Sequence, residues 1–335
     1  MTTTSATVLT SAGPAGPAAG PAGLRPAVSR SSLGLGLAVL SAASFGTSGS
    51  FARSLTAVGW SPAAAVVARI GVASLLLAVP GFLALRGRWR ALRDSRTIVI
   101  LYGLIAVAGG QICFFFAIQH LAVGVALLIE YLGTVLVVAW MWLRHGHRPH
   151  RMTVIGSIIA LLGLALVVDL TGDAHLDAIG VLWALGGALG LAGYFVMSGH
   201  DDGDVPPVAL ASTGMVIGSL ALLALGAAGA LPLHASFTTV ELGGHRVSWL
   251  VPVIGLSLLA AAIAYVSGIE ATRRLGPRLA SFVGLTEVLF AVLFAWLILD
   301  ELPTRLQLAG GALIIAGVAV IRSDEGRLIT EPPPR

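Results

Sequence analysis

The sequence predicts an all-α membrane protein: ten transmembrane helices in a 5+5 inverted-topology repeat. Three observations predict it. Long apolar runs recur along the chain, the charges fall between those runs, and the second half repeats the pattern of the first. Mean hydropathy is +0.92 and only 11% of the residues are charged, against about 25% in soluble domains. A chain this apolar does not fold in water.

A spanning helix needs about 20 mostly apolar residues. Ten such runs start near Leu33, Pro62, Thr97, Leu121, Met152, Asp177, Pro207, Ser248, Arg278 and Pro303. Pro, Gly or charge marks most of their ends. The third and fourth are separated only by Gln119-His120-Leu121. Residues 1–31 are rich in Pro, Gly, Ala, Ser and Thr, with neither an apolar run nor a basic start. They read as a disordered tail rather than a cleavable signal peptide. Residues 323–335 read as a second polar tail.

Arginine placement fixes the expected orientation. The chain has no Lys, so all 20 basic residues are Arg. With the N-terminus cytoplasmic, sixteen arginines fall on the inside and three (Arg53, Arg246 and Arg305) on the outside; Arg69 lies within a run. That is a positive-inside bias, and an error of one helix in the count would scramble it. Both termini are therefore expected in the cytoplasm, and the chain in the inner or plasma membrane as a multi-pass protein. The acidic stretch Asp201-Asp202-Gly203-Asp204 departs from the pattern, but acidic residues count little in this rule. The pI near 10.0 does not point to nucleic acid, because no basic patch interleaved with aromatics sits on a soluble module. Cys113 is the only cysteine, which excludes intrachain disulfides and Cys-based zinc sites.

The repeat is visible in two places. "AWMWLRHGHRPHRMTVIGSIIALLGLALVV" from Ala139 matches "AWLILDELPTRLQLAGGALIIAGVAVI" from Ala295, and "HLAVGVALL" from His120 parallels "RLGPRLASF" from Arg274. The halves span 32–170 and 177–322. Each holds five helices, an odd number, so the second enters the membrane from the opposite side. Inverted repeats of this kind are typical of secondary transporters, with the substrate site near the midplane between the halves. The competing reading is a duplicated scaffold that transports nothing.

The chain resembles the EamA-type transporters of the drug/metabolite transporter superfamily over nearly all of residues 33–322. The resemblance rests on "VVARIGVASLLL" around Arg69, "VALLIEYLG" around Glu130 and the long stretch from Ala280 through Leu299-Asp300-Glu301 to Ile321. The "IEYLG" stretch is similar to the amino-acid (threonine/homoserine) exporting branch. Two departures stand out. His145-Gly146-His147 replaces the acidic turn of the first half, and Thr134 and Val288 stand near positions where the family often has Pro. The second departure implies less kinked helices here.

Ionisable groups inside a span cost about 2.5–3.5 kcal/mol each and are functional candidates by default. Glu130 and Glu287 each lie about nine residues into their helices, about 14 Å deep at 1.5 Å per residue, near the midplane of a core about 30 Å thick. They could bind a substrate ammonium or carry protons for coupling; the alternative is a permanently paired packing role. They are not repeat mates, because aligning the Ala-Trp pairs sets Glu287 opposite Tyr131. Arg69 sits at nearly the depth of Glu130. It either pairs with Glu130 or receives a substrate carboxylate; its mate is about Gly214. Gln111, Tyr194 and Tyr265 are the polar groups of helices 3, 6 and 8, where packing is the competing reading. Glu270, beside Arg273 and Arg274, reads as a local ion pair. The Gly pairs 109–110, 186–187 and 310–311 read as close helix contacts.

These residues predict a secondary transporter, most simply an exporter of a small polar metabolite or amino acid by alternating access, driven by protons or exchange. A drug or cation efflux carrier of the same fold is the alternative. An intramembrane enzyme is the rival from another class, since Gly46-Thr47-Ser48-Gly49 matches G-x-S-G. That chemistry needs a His base, and all eight His fall in loops or helix ends. Without Lys there is no Walker A motif. No cofactor or metal is expected. The expected partners are a small-molecule substrate and the lipid bilayer, with a homodimer left open.

Overall fold

The computed structural model describes residues 27–146, 149–168, 177–200 and 205–328. Expectations for residues 1–26, His147, Arg148, His175, Asp201 to Asp204 and 329–335 lie outside the described residues. Among the described residues, ten helices are long and apolar enough to cross a membrane: span 1 (Ser32–Thr56), span 2 (Pro62–Leu85), span 3 (Arg96–Ala117), span 4 (Val123–Arg144), span 5 (Arg151–Val168), span 6 (Ala178–Ser198), span 7 (Pro207–Ala227), span 8 (Leu250–Leu275), span 9 (Pro277–Leu299) and span 10 (Arg305–Ser323). Their starts fall within about two residues of those read from the sequence. Leucines such as Leu75, Leu143 and Leu182 remain exposed on their flanks, as lipid-facing positions should.

The spans pair across the two halves. Span 5 packs along span 10, span 2 along span 7, span 1 on spans 8 and 9, and span 6 on spans 3 and 4. Glycine makes the 5–10 contact close. A Cβ on Gly163 would lie 2.6 Å from the Gly310 carbonyl oxygen, and one on Gly317 would lie 2.6 Å from the Gly156 carbonyl oxygen. Gly156 meets Gly317 and Gly163 meets Gly310, so the two spans run antiparallel. Setting Gly156 opposite Gly310 and Gly163 opposite Gly317 in the repeat converts one crossing into the other.

Spans 3, 4, 8 and 9 depart from a regular α-helix in matching positions of the two halves, and span 1 is interrupted at Thr47, between Ala27–Gly46 and Ser48–Thr56. Spans 3 and 8 each contain a π-helical stretch, Tyr102–Gly109 and Leu258–Ile263. Spans 4 and 9 are interrupted beside the carboxylates. Span 4 divides into Val123–Tyr131 and Gly133–His145, and span 9 into Pro277–Gly284 and Glu287–Leu299. The expectation of straighter helices at Thr134 and Val288 is therefore overturned. The break needs no proline: backbone bonds tighten to i→i−3 at Leu132 and at Leu285–Thr286. Thr134 and Thr286 add hydroxyl bonds to the Tyr131 and Val283 carbonyls at 2.9 and 2.7 Å, a side-chain competition that distorts helices.

The connection between spans 7 and 8 folds over the start of span 2. It carries a hairpin of β1 (Val240–Leu242) and β2 (His245–Val247). Gly243 and Gly244 turn it at φ 59° and 72°, the left-handed values a tight hairpin requires. Ser61 caps span 2 by accepting from Ala64 N at 3.2 Å and donates to the Pro232 carbonyl at 2.5 Å. Trp60 donates to the Ser236 carbonyl at 2.5 Å and packs against Phe237 and Trp249. An aromatic cluster of Trp60, Phe237 and Trp249 thus ties this connection to the start of span 2.

Candidate functional site

Spans 1, 2, 3, 4, 6, 8 and 9 surround a central cavity of about 490 Å³. Spans 5, 7 and 10 contribute nothing to its wall; they buttress it. Arg69, Gln111, Glu130, Tyr194, Tyr265 and Glu287 all line this one cavity. The rest of the wall is largely apolar and includes Phe45, Phe114, Phe115 and Phe195.

Arg69 is 8% exposed. Its Nη1 donates to the Ser48 hydroxyl at 3.2 Å, and its guanidinium carbon stands 5.8 Å from the Phe45 ring centroid. Its Nε has no hydrogen-bond partner among the described residues. The expected alternative of an Arg69–Glu130 ion pair is not formed among the described residues; the ion pairs there include Arg53–Glu301, His120–Asp177 and Arg274–Glu270. The reason is local. Arg69 extends toward span 1, and its charge acts on Glu287 and Tyr265 rather than on Glu130. Glu130 instead packs against Gly187 of span 6.

The two carboxylates sit within electrostatic reach of one another. Each stands beside the interruption of its helix, Glu130 in the last turn of Val123–Tyr131 and Glu287 at the start of Glu287–Leu299. Tyr131 interacts with the Glu287 carboxyl through its hydroxyl. Tyr131 is a further polar residue of the cavity wall. Its alignment opposite Glu287 was the available signal, since mates meet where a pseudo-twofold axis runs between the halves. Below the charges lies an aromatic floor: Phe45–Tyr265 centroids are 5.2 Å apart, Tyr194–Tyr265 5.4 Å and Tyr194–Phe195 4.9 Å. Ser41, which faces Tyr194, donates to the Ala264 carbonyl at 2.7 Å.

Polar groups at the ends of the spans are organised separately. Asp177 caps span 6, its carboxylate accepting from Ile179 N at 2.8 Å and meeting His120 Nδ1 at 3.1 Å. Those hydrogen bonds, the Ile179 amide first, hold its carboxyl below the usual range. Arg274 pairs with Glu270 at 2.6 Å as read from their spacing, whereas Arg273 turns away to the carbonyls of Val205 and Ser198, at 2.8 and 3.4 Å.

The model of the EamA-like transporter family matches residues 32–169 and again residues 178–323. The chain belongs to the EamA-like transporter family. Each copy of the family match covers one set of five spans, and the cavity lies where the two copies meet. Among EamA relatives, the threonine/homoserine exporter RhtA of Escherichia coli (strain K12) is 27% identical over 235 residues, covering 69% of this chain and 73% of that protein. A probable terminal-alkyne amino-acid exporter of Streptantibioticus cattleyicolor is 29% identical over 270 residues, covering 78% and 84%. One solved crystal structure superposes with a TM-score of 0.68 at 20% identity, over 90% of this chain and 98% of that one. That likeness concerns the fold. This EamA chain is thus a multi-pass membrane transporter related to amino-acid exporters.

Proposed function

We propose that the chain exports a small zwitterionic metabolite, in the first place an amino acid, by proton-coupled alternating access between two inverted halves. The observation that carries this reading is the composition of the one central cavity. Its wall presents a buried guanidinium with an uncommitted donor and two carboxylates within electrostatic reach of one another. A zwitterion carries the complementary pair of charges. Its carboxylate takes the free Arg69 donor in a charge-assisted hydrogen bond, and its ammonium faces Glu287 and Glu130. Two carboxylates in one desolvated space repel, so a single cation relieves them. The substrate ammonium and a proton compete for that role, and this competition is a coupling device. The names of the two relatives, both amino-acid exporters, agree with the reading.

The Arg-rich ends of the spans face the cytoplasm in this reading, and the site residues act without a cofactor. The aromatic walls and paired carboxylates also suit a lipophilic organic cation, the efflux reading. Arg69 argues against it, because a buried guanidinium repels such a ligand.

The test is flux in proteoliposomes. Glu130→Gln and Glu287→Gln should each reach the membrane in normal amounts and lose proton-driven flux. Wild-type flux in both variants overturns the proposal.

A further inference from the structure

Four buried side-chain polar atoms have no hydrogen-bond partner among the described residues: Arg69 Nε, Tyr194 Oη, Tyr102 Oη and Ser198 Oγ. The first belongs to the cavity described above. The other three are hydroxyls, and they fall in one column. Tyr194 and Ser198 stand one turn apart on the same face of span 6, below Gly187, which packs on Glu130. Tyr102 reaches the same face from the π-helical stretch of span 3, its ring centroid 6.1 Å from that of Tyr194. Its hydroxyl faces Ser198 without closing a hydrogen bond. The column begins at the cavity wall, where Tyr194 feels the charge of Glu287. It ends at Ser198, whose carbonyl accepts from Arg273 near the end of span 8.

These hydroxyls differ from several others in the spans. Ser257, Ser267, Thr272 and Ser281 commit their protons to carbonyls one turn back. Leaving a buried donor unmet costs about 1–3 kcal/mol, and native proteins retain such groups where a second state or a function uses them. The surroundings are too tight for a solute. Tyr102 and Ser198 are both 0% exposed, and a Cβ on Gly214 would lie 2.6 Å from the Tyr102 ring. Only Gly268 leaves room for the Tyr194 hydroxyl. A hydroxyl both donates and accepts, so a line of them, bridged by single water molecules, passes a proton where a solute does not fit.

We propose that Tyr194, Tyr102 and Ser198 form a proton relay from the central carboxylates to the Arg273 end of the molecule, separate from the path of the substrate. The inference rests on the coupling reading above. In the relay step Glu287 releases its proton to an acceptor hydroxyl. That hydroxyl passes its own proton to the next, through single water molecules where the gap requires one. The last proton leaves from Ser198 to water. Each hydroxyl ends neutral, the carboxylate is left ionised, and no bond other than O–H is made or broken.

The test uses purified full-length protein in liposomes loaded with the twenty standard L-amino acids and a pH-sensitive dye. It compares net flux under a pH gradient with amino-acid exchange at equal pH, in wild type, Tyr102→Phe and Ser198→Ala. Tyr102→Phe keeps the ring against Gly214, and neither variant should lower the melting temperature. Net flux and dye response should fall at least about tenfold in each, as for other lost proton transfers, while exchange stays at the wild-type rate. Loss of exchange in parallel would make these residues part of the substrate path or the scaffold and overturn the relay. Unchanged net flux in both variants overturns it as well. A wild type that moves no amino acid, or moves them without protons, overturns the coupling reading itself and the relay with it.

Discussion

Arg69→Met separates a structural arginine from a binding one. The substitution retains an unbranched apolar stem and removes the charge. Among the described residues Arg69 makes one hydrogen bond, to Ser48, and one contact over Phe45. A hydrogen bond from a charged group is worth about 1.5–3 kcal/mol and a cation–π contact about 0.5–2 kcal/mol. Against these stands the desolvation of an ion with no counter-ion within bonding distance, several kcal/mol. The terms oppose one another, so folded yield and melting temperature should stay near wild type. For the substrate the balance differs. A charge-assisted bond from the free guanidinium donor to a carboxylate contributes about 1.5–3 kcal/mol, which is about 10- to 150-fold in affinity. The assay is ligand-induced thermal stabilisation of the purified protein, with flux measured in parallel. Arg69→Lys should recover little, because an ammonium lacks the planar fork. Two results would refute the reasoning: failure of Arg69→Met to fold, or wild-type affinity for a carboxylate-bearing substrate in a folded variant.

Three further outcomes follow from the packing and the caps. Gly163→Ala should destabilise the protein by about 1–3 kcal/mol, since its Cβ would lie 2.6 Å from the Gly310 carbonyl oxygen. Gly36→Ala, with nothing within 4 Å of the added carbon, should leave the melting temperature in detergent unchanged or higher. The Asp177 carboxyl is held below its ordinary range by the Ile179 amide and then His120. Its folded value lies below its unfolded one, so its stabilising contribution is complete above the ordinary Asp range and is lost as pH falls through the lowered value. Melting curves of wild type and Asp177→Asn should therefore differ near neutral pH and converge in acid.

Spans and charged candidates were legible in the sequence because both obey one-dimensional rules. A bilayer sets a length, and an ionisable residue within that length is conspicuous. Partners were not legible. Arg69 and Glu130 lie at similar depth, yet the guanidinium extends to span 1 and the carboxylate to span 6. Depth is one coordinate, and pairing needs the angle around each helix as well. The breaks in spans 4 and 9 carry no proline to mark them in the sequence. They arise instead from shortened backbone bonds reinforced by Thr134 and Thr286, residues that are ordinary in a helix. The orphaned hydroxyls of Tyr102 and Ser198 were invisible for a related reason. A hydroxyl is known to lack a partner only once every neighbour is placed.

The repeat bears on how the site became asymmetric. Pairing of span 5 with span 10, the π-helical stretches of spans 3 and 8, and the interruptions of spans 4 and 9 all occur in matched positions. The chemistry does not. Glu287 meets Tyr131, the residue aligned opposite it, so one position serves as a carboxylate in one half and as its hydroxyl partner in the other. The mate of Arg69 is about Gly214, and Gly214 is the hollow against which Tyr102 packs. The same place in the scaffold thus carries a charge facing the cavity in the first half and a space for a relay residue in the second. Identical halves would present two guanidiniums and a symmetric set of carboxylates, which suits a symmetric ligand. A zwitterion has two unlike ends and a proton needs one route out, and both require that the duplicated positions diverge.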